Sequence, residues 1–159
     1  QIKNYIPWGN GEIMLRILTD EEVKKITPDD PVRPHKPAVW RTICDRKVYG
    51  LFSEDEKLRS VICVSFTHIV PKSEMELAGE IAHSPTVAVF YTVWSYDKGA
   101  GREIVFKAVD EIKETHPTVK RFVTLSPITD MAKRFHERNG AKLIDINEWA
   151  GCQNFEYFV

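Results

Sequence analysis

The feature that most constrains the fold is a long apolar segment, followed directly by a glycine-rich turn and an amphipathic helix. Residues 87–96 form the longest apolar run and are rich in β-branched and aromatic side chains. That pattern predicts a central strand buried on both faces. Residues 97–101 predict a turn, and apolar residues then recur at helical spacing: Ile104, Val105, Ala108, Val109 and Ile112. A strand, a tight turn and a helix in this order predict a layered α/β structure.

The flanking segments predict a meander of strands before this unit and a second strand–helix pair after it. Four prolines between residues 28 and 37 predict a loop. Asp130 is expected to cap a helix that ends at Asn139-Gly140. We therefore expect one domain over residues 1–159, of the α/β class (α+β type), with a mixed twisted sheet and helices on both faces. The remaining strands are predicted at 11–18, 48–52, 60–66, 122–125, 143–144 and 154–159, and short helices at 19–26 and 74–78.

Composition excludes several classes of partner. The formal net charge is −1, whereas nucleic acids and anionic membranes usually require a basic excess. No apolar stretch approaches the roughly 18 residues of a membrane span. The three cysteines are odd in number and form no C-x-x-C pair, so we expect no disulfide framework, no metal site and a cytoplasmic location. Cys63 lies in an apolar run and is interpreted as a small buried side chain.

The Gly99-Ala100-Gly101 turn is the strongest candidate for a binding site. Glycines let a backbone approach a ligand closely, and the start of a helix offers free N–H groups. Lys98 and Arg102 would add positive charge, so the segment predicts a diphosphate site. Ile104 stands where a dinucleotide motif needs its third glycine, and a P-loop would need Gly-Lys-Ser/Thr at its end. A plain strand-to-helix turn is the alternative.

This strand, turn and helix resemble the CoA-binding motif of the GNAT acyltransferases, with Tyr96 at the position of that motif's Arg or Gln. The resemblance implies a GNAT-like domain in which the central strand splays from its neighbour. It further implies that open backbone groups of Tyr91, Val93 and Ser95 hold the pantetheine of an acyl-CoA and polarise its thioester carbonyl. Its diphosphate would then lie on the residues of the turn: Lys98, Gly99, Ala100, Gly101 and Arg102.

Three segments, together with likenesses at residues 61–67, 146–150 and 154–157, extend the resemblance to the catalytic domain of malonyl-CoA decarboxylase over roughly residues 41–159. The three segments are Phe90-Tyr91-Thr92-Val93, Thr124-Leu125-Ser126-Pro127-Ile128 and Phe135-His136-Glu137-Arg138-Asn139-Gly140-Ala141. This resemblance implies that Ser126 and His136 form the catalytic pair. The chain departs from the family's pattern in three places. The family has a long insertion between its serine and histidine segments, whereas Ser126 and His136 are only ten positions apart. Residues 129–131 replace the family's Pro-Gly-Phe, and Phe155 stands where the family has a tyrosine.

Three functions follow as hypotheses. The first is decarboxylation of malonyl-CoA or a related acyl-CoA, with the acyl-CoA as small-molecule substrate. The second is acetyl transfer from acetyl-CoA to an amine, for which Glu74, Glu76, Glu80 or a water chain would be the candidate base. The third is a non-catalytic CoA-binding module. Trp94 is the best candidate among the tryptophans to line an acyl pocket. The sequence does not specify the acyl group or the acceptor. It is compatible with a monomer or a homodimer.

Overall fold

The computed structural model describes residues 6–8, 13–77 and 83–159, and the side chains from residue 14 onward within those ranges. Three parts of the sequence predictions lie outside the described residues: residues 11–12 of the first predicted strand, Ala78 of a predicted helix, and the candidate base Glu80. The strands are β1 Ile6–Trp8, β2 Ile13–Ile17, β3 Arg46–Ser53, β4 Leu58–Thr67, β5 Val87–Ser95, β6 Arg121–Thr124, β7 Ser126–Pro127, β8 Lys142–Asn147 and β9 Cys152–Tyr157. The helices are α1 Asp20–Ile26, α2 Ala38–Thr42, α3 Ala100–Thr115 and α4 Asp130–Arg138, with short 3₁₀ turns at Thr27–Asp29, Glu74–Leu77 and Glu148–Ala150.

The strands form one mixed sheet, as the sequence predicted. Strands β1 to β5 pair with their chain neighbours in antiparallel fashion. Strand β5 then pairs in parallel with β6. Both β6 and β7 pair with one side of β9, and β8 pairs with its other side. The parallel pair is formed across α3, as expected for a strand–helix–strand unit.

Strand β5 changes its pairing halfway along. A β-bulge opposite Cys63 and Val64 of β4 leaves Tyr91 as the extra residue, because Thr92 pairs with Cys63 and Phe90 pairs with Val64. A bulge of this kind bends the strand and raises its twist. The parallel pairing with β6 ends at Phe90 and Thr124, while β5 continues to Ser95. The predicted splay of the central strands is therefore confirmed, and it lies between β5 and β6.

Helices cover both faces of the sheet, which confirms the predicted layers. The apolar stripe of α3 packs on one face, with Phe135 of α4 against the same cluster. Val23 of α1, Ala38 of α2 and Leu77 pack on the other face. Burial on both faces explains the continuous apolar run of β5.

Helix boundaries follow local capping chemistry. Thr19 caps α1 in a capping box with Glu22. The expectation that Asp130 caps α4 is wrong by one residue, because the Thr129 hydroxyl accepts the hydrogen bond from the Ala132 N–H. Gly140, at φ +94°, ends α4 as expected.

Candidate functional site

A cavity of about 590 Å³ lies beside the free edge of β5. Its walls are residues 90–95 of β5, β7, Pro31 and Val32 of the proline-rich loop, Gly101, and one face of α4 with its cap. Trp94 lines it, as predicted. None of the described residues that line it is Asp, Glu, Lys or Arg. A charged group that entered this space would therefore lose hydration without gaining an ion pair from the walls.

The free edge of β5 offers backbone donors to the cavity. The Tyr96 N–H donates to Arg59 O on the β4 side at 2.7 Å. N–H directions alternate along a strand, so the N–H groups of Val93 and Ser95 point to the opposite side, where β6 has already separated. Two of the three predicted backbone contacts therefore face the cavity as donors. At the third, Tyr91, the carbonyl oxygen is taken by the guanidinium of Arg33.

The turn that follows β5 has the geometry of an open helix start. Gly99 caps α3 at φ +82°, a left-handed conformation that favours glycine, and a Cβ there would meet nothing within 4 Å. The Ala100 N–H is occupied by Asp97 O. Gly101 and Arg102 lie in the first turn, where backbone N–H groups have no partner within the helix. Open space and free donors at a helix N-terminus suit an anion.

Gly101 has a second role, which is packing. A Cβ at this position would stand 3.3 Å from Cε1 of Phe135, so the absent side chain lets α4 approach the start of α3. The side chains of Lys98 and Arg102 are exposed at the turn. The Arg102 guanidinium donates to Asn139 Oδ1 at 3.1 Å, which ties the turn to the end of α4.

His136 lines the cavity with its ring nearly buried at 7% exposure. Burial lowers the pKa of His136 to about 4, so the imidazole is neutral near pH 7. Its Nδ1 lies 2.7 Å from the Tyr157 hydroxyl, and Asn139 Nδ2 donates to the same hydroxyl at 3.4 Å. With Asn139 donating to the hydroxyl, this arrangement favours the tyrosine as donor to Nδ1 and the imidazole tautomer with its proton on Nε2.

Ser126 lines the same cavity and is buried. Its Oγ donates to Thr124 Oγ1 at 2.9 Å, and Thr124 Oγ1 also accepts from the Phe155 N–H at 3.0 Å. The predicted pair is therefore brought to one cavity. Within the described part of the chain no hydrogen bond joins Ser126 to His136, so the serine is not activated as in a Ser–His nucleophile.

A buried charge network beneath the cavity was not predicted from the sequence. Asp30 accepts from Arg41 Nη1 at 2.6 Å, from the Arg33 N–H at 2.9 Å and from the Thr92 hydroxyl at 2.9 Å. Burial alone would raise the pKa of Asp30, but the Arg33 N–H and the Arg41 guanidinium lower it. The network fixes the proline-rich loop against β5. Only the prolines marked this loop in the sequence, and no pattern there separated its arginines from solvated ones.

Glu74 and Glu76, the two candidate bases among the described residues, lie outside the cavity lining. Glu74 contacts Arg33 at 3.0 Å, His35 at 3.3 Å and Lys36 at 3.4 Å. Burial alone would raise the pKa of Glu74, but the contacts with Arg33, His35 and Lys36 lower it below its ordinary value. Glu76 accepts from the Lys72 N–H. Neither carboxylate faces the cavity as a base for an incoming amine.

The described residues contain neither a cluster of metal-binding side chains nor a helix that could span a membrane. These residues contain no group of three His, Cys, Asp or Glu placed to hold a metal ion. Among their helices, none combines the length and apolarity that crossing a bilayer would need.

Comparison with known proteins shows the fold. No protein-family model and no curated protein sequence matches the chain. Malonyl-CoA decarboxylase from Rhodopseudomonas palustris is similar over 92% of this chain, with a TM-score of 0.74 and 18% identity. This chain spans 60% of that protein's length. The GNAT domain of PAT from S. lividans is similar over 96% of this chain and 94% of its own, with a TM-score of 0.63 and 13% identity. Arabidopsis thaliana NAA60 in complex with acetyl-CoA is similar over 92% of this chain and 98% of its own, with a TM-score of 0.62 and 15% identity. The chain therefore has a GNAT fold, similar to that of malonyl-CoA decarboxylase.

Proposed function

We propose that this GNAT-fold chain binds an acyl-CoA along the free edge of β5, with the CoA diphosphate on the turn at residues 98–102. Gly99 leaves open space and the first turn of α3 offers free N–H groups, with Lys98 and Arg102 beside them. The N–H groups of Val93 and Ser95 would hold the pantetheine and the thioester. A similar solved structure contains acetyl-CoA, which supports this ligand class.

We infer further that the reaction is decarboxylation of malonyl-CoA or a closely related acyl-CoA. The observation that carries this inference is the absence of charged side chains among the described residues that line the cavity. A malonyl carboxylate there would be poorly solvated, whereas carbon dioxide and a delocalised enolate need less solvation. The cavity would therefore favour loss of carbon dioxide from the bound substrate. The bond between the carboxylate and the α-carbon breaks, and its electron pair moves into the thioester to give an enolate. Backbone N–H groups aimed at the thioester oxygen stabilise the developing charge.

A proton must then reach the α-carbon to give acetyl-CoA. His136 is neutral near pH 7. Its Nε2 proton would pass to the α-carbon while the Tyr157 hydroxyl gives its own proton to Nδ1, so the imidazole stays neutral and the tyrosinate regains a proton from water. The Ser126 hydroxyl, which donates to Thr124 Oγ1 in the ligand-free protein, would turn to donate to the substrate carboxylate and orient it.

Acetyl transfer to an amine is the alternative within the same fold. It needs a base for the amine, and Glu74 is held away from the cavity by Arg33, His35 and Lys36. The described residues therefore favour decarboxylation. A CoA-binding module without activity would keep the turn and the free edge of β5 but show no turnover.

The test is incubation of the protein with malonyl-CoA, with acetyl-CoA followed by chromatography. We expect turnover that falls about 100-fold or more in His136→Gln and in Ser126→Ala, in line with loss of a positioned proton donor. Ser65→Ala is the matched control, because Ser65 is also a buried serine but lies outside the cavity. CoA release that requires an added amine would instead establish acetyl transfer, and tight CoA binding without turnover would establish a binding module.

A further inference from the structure

A buried arginine occupies the point where β5 and β6 separate. Arg33 is 2% exposed, and its guanidinium lies between the two strands. Nη2 donates to Leu125 O at 3.0 Å, and Nη1 donates to Tyr91 O. Nε donates to Glu74 Oε2 at 3.0 Å. A guanidinium presents its donors in a fixed fork, so it can bridge two backbone carbonyls at a set separation.

The Leu125 carbonyl is the acceptor that the next rung of the parallel ladder would use. The last rung is the bond from the Leu125 N–H to Phe90 O at 3.1 Å. In a parallel pair the following donor on β5 would be two residues beyond Phe90, and the bulge at Tyr91 moves this donor to Val93. The Val93 N–H points to this side of the strand. Arg33 thus holds the carbonyl that the Val93 N–H would otherwise reach.

Asp30 and Arg41 hold the backbone of Arg33 in place, on both its N–H and its carbonyl. Its N–H donates to Asp30 Oδ1 at 2.9 Å, and its carbonyl accepts from Arg41 Nη2 at 2.5 Å. Asp30 and Arg41 form a fully buried ion pair at 2.6 Å. Through these contacts the pair fixes the Arg33 backbone and so sets the depth at which its guanidinium lies.

We propose that Arg33 is a positioning residue that keeps the Val93 N–H free for the ligand. By donating to Leu125 O and Tyr91 O from between the strands, it stops the parallel ladder one rung early. The Val93 N–H is then available to the thioester oxygen of an acyl-CoA. This ligand assignment rests on the proposed function, whereas the competition for Leu125 O is a property of the ligand-free protein.

The first experiment measures amide hydrogen exchange by NMR in the ligand-free protein, in wild type, Arg33→Met and Arg33→Lys. When the guanidinium is removed, Leu125 O becomes available and the Val93 amide gains a hydrogen bond. We expect exchange of the Val93 amide to slow about tenfold or more in Arg33→Met, a change equivalent to one net hydrogen bond. Arg46→Met is the matched control. Arg46 is also buried and also donates to two backbone carbonyls, but these are Trp40 O in α2 and Leu77 O in the 3₁₀ turn at Glu74–Leu77, not carbonyls of β5 or β6.

An unchanged or faster Val93 amide in folded Arg33→Met would overturn the proposal. If Arg33→Met does not fold, Arg33→Lys decides. It keeps a buried positive charge beside Glu74 but lacks the fork that spans both carbonyls. Slower exchange of the Val93 amide in Arg33→Lys supports the proposal, and wild-type exchange overturns it.

The second experiment compares the affinities for acetyl-CoA and for the nucleotide half of CoA, which lacks pantetheine. In Arg33→Lys we expect acetyl-CoA to bind about tenfold more weakly, as for one lost hydrogen bond, with the nucleotide half unchanged. Equal weakening of both ligands would indicate a general structural effect and would overturn the positioning role. If the wild type binds neither ligand, the proposed function fails, and the exchange experiment still decides what Arg33 does in the sheet.

Discussion

Burial of His136 makes a specific prediction about the pH dependence of stability. Its pKa falls from an ordinary value of 6.5 to about 4 in the folded chain, while the unfolded chain keeps the ordinary value. Between these two values the unfolded state binds more protons, so stability is complete above pH 6.5 and is lost as the pH falls toward 4. The full contribution is about 3 kcal/mol, because each pH unit between the two pKa values is worth about 1.4 kcal/mol. Of this contribution, about 2 kcal/mol is lost by pH 5.

The measurement is urea unfolding of wild type and His136→Gln at intervals from pH 8 to pH 5. The difference in unfolding free energy between the two proteins should shrink by about 2 kcal/mol over this range, because the variant has no imidazole to protonate. Ser65→Ala serves as the control. It removes a buried hydroxyl and no titrating group, so its difference from wild type should not change with pH. A constant difference between wild type and His136→Gln would refute a buried neutral imidazole, as would an NMR titration of His136 with a midpoint near 6.5.

Three further changes test the turn and the buried network. Gly99→Ala places a side chain at φ +82° without a clash, so urea unfolding should show a loss of about 1 kcal/mol from backbone strain. Gly101→Leu drives a side chain into Phe135, 3.3 Å from the Cβ position. It should therefore lower the thermal midpoint more than Gly99→Ala does and weaken CoA binding in calorimetry. Asp30→Leu leaves the Arg41 charge buried without its partner and should cost about 3–5 kcal/mol in urea unfolding, whereas loss of less than about 1 kcal/mol would contradict the role assigned to this pair.

Local pattern was sufficient for the central unit of the fold. Strand β5, the turn and helix α3 were predicted within about two residues, because their signals lie in spacings of one to four residues. The predicted strand at 48–52 proved to be the middle of β3, which continues from Arg46 to Ser53. The two-residue strand β7 was not predicted, since so short a segment carries no period and is defined by its partner β9.

The resemblance to a known family located two residues of the candidate site but not their state. Ser126 and His136 do line one cavity. The neutral state of His136 and its contact with Tyr157 depend on burial and on a residue 21 positions away. Neither property can be read from the segment around the histidine.

What the sequence by itself determined is the class of fold, the open turn at Gly99 and the position of the core stripe on α3. These follow from backbone sterics and from the burial of apolar side chains with a fixed period. Only the tertiary structure decided where the charges went. Arg33 lies in a proline-rich loop, yet its guanidinium bonds carbonyls 58 and 92 positions away in the chain. A buried charge is tolerated only where folding assembles its partners around it, and that assembly depends on how distant elements pack.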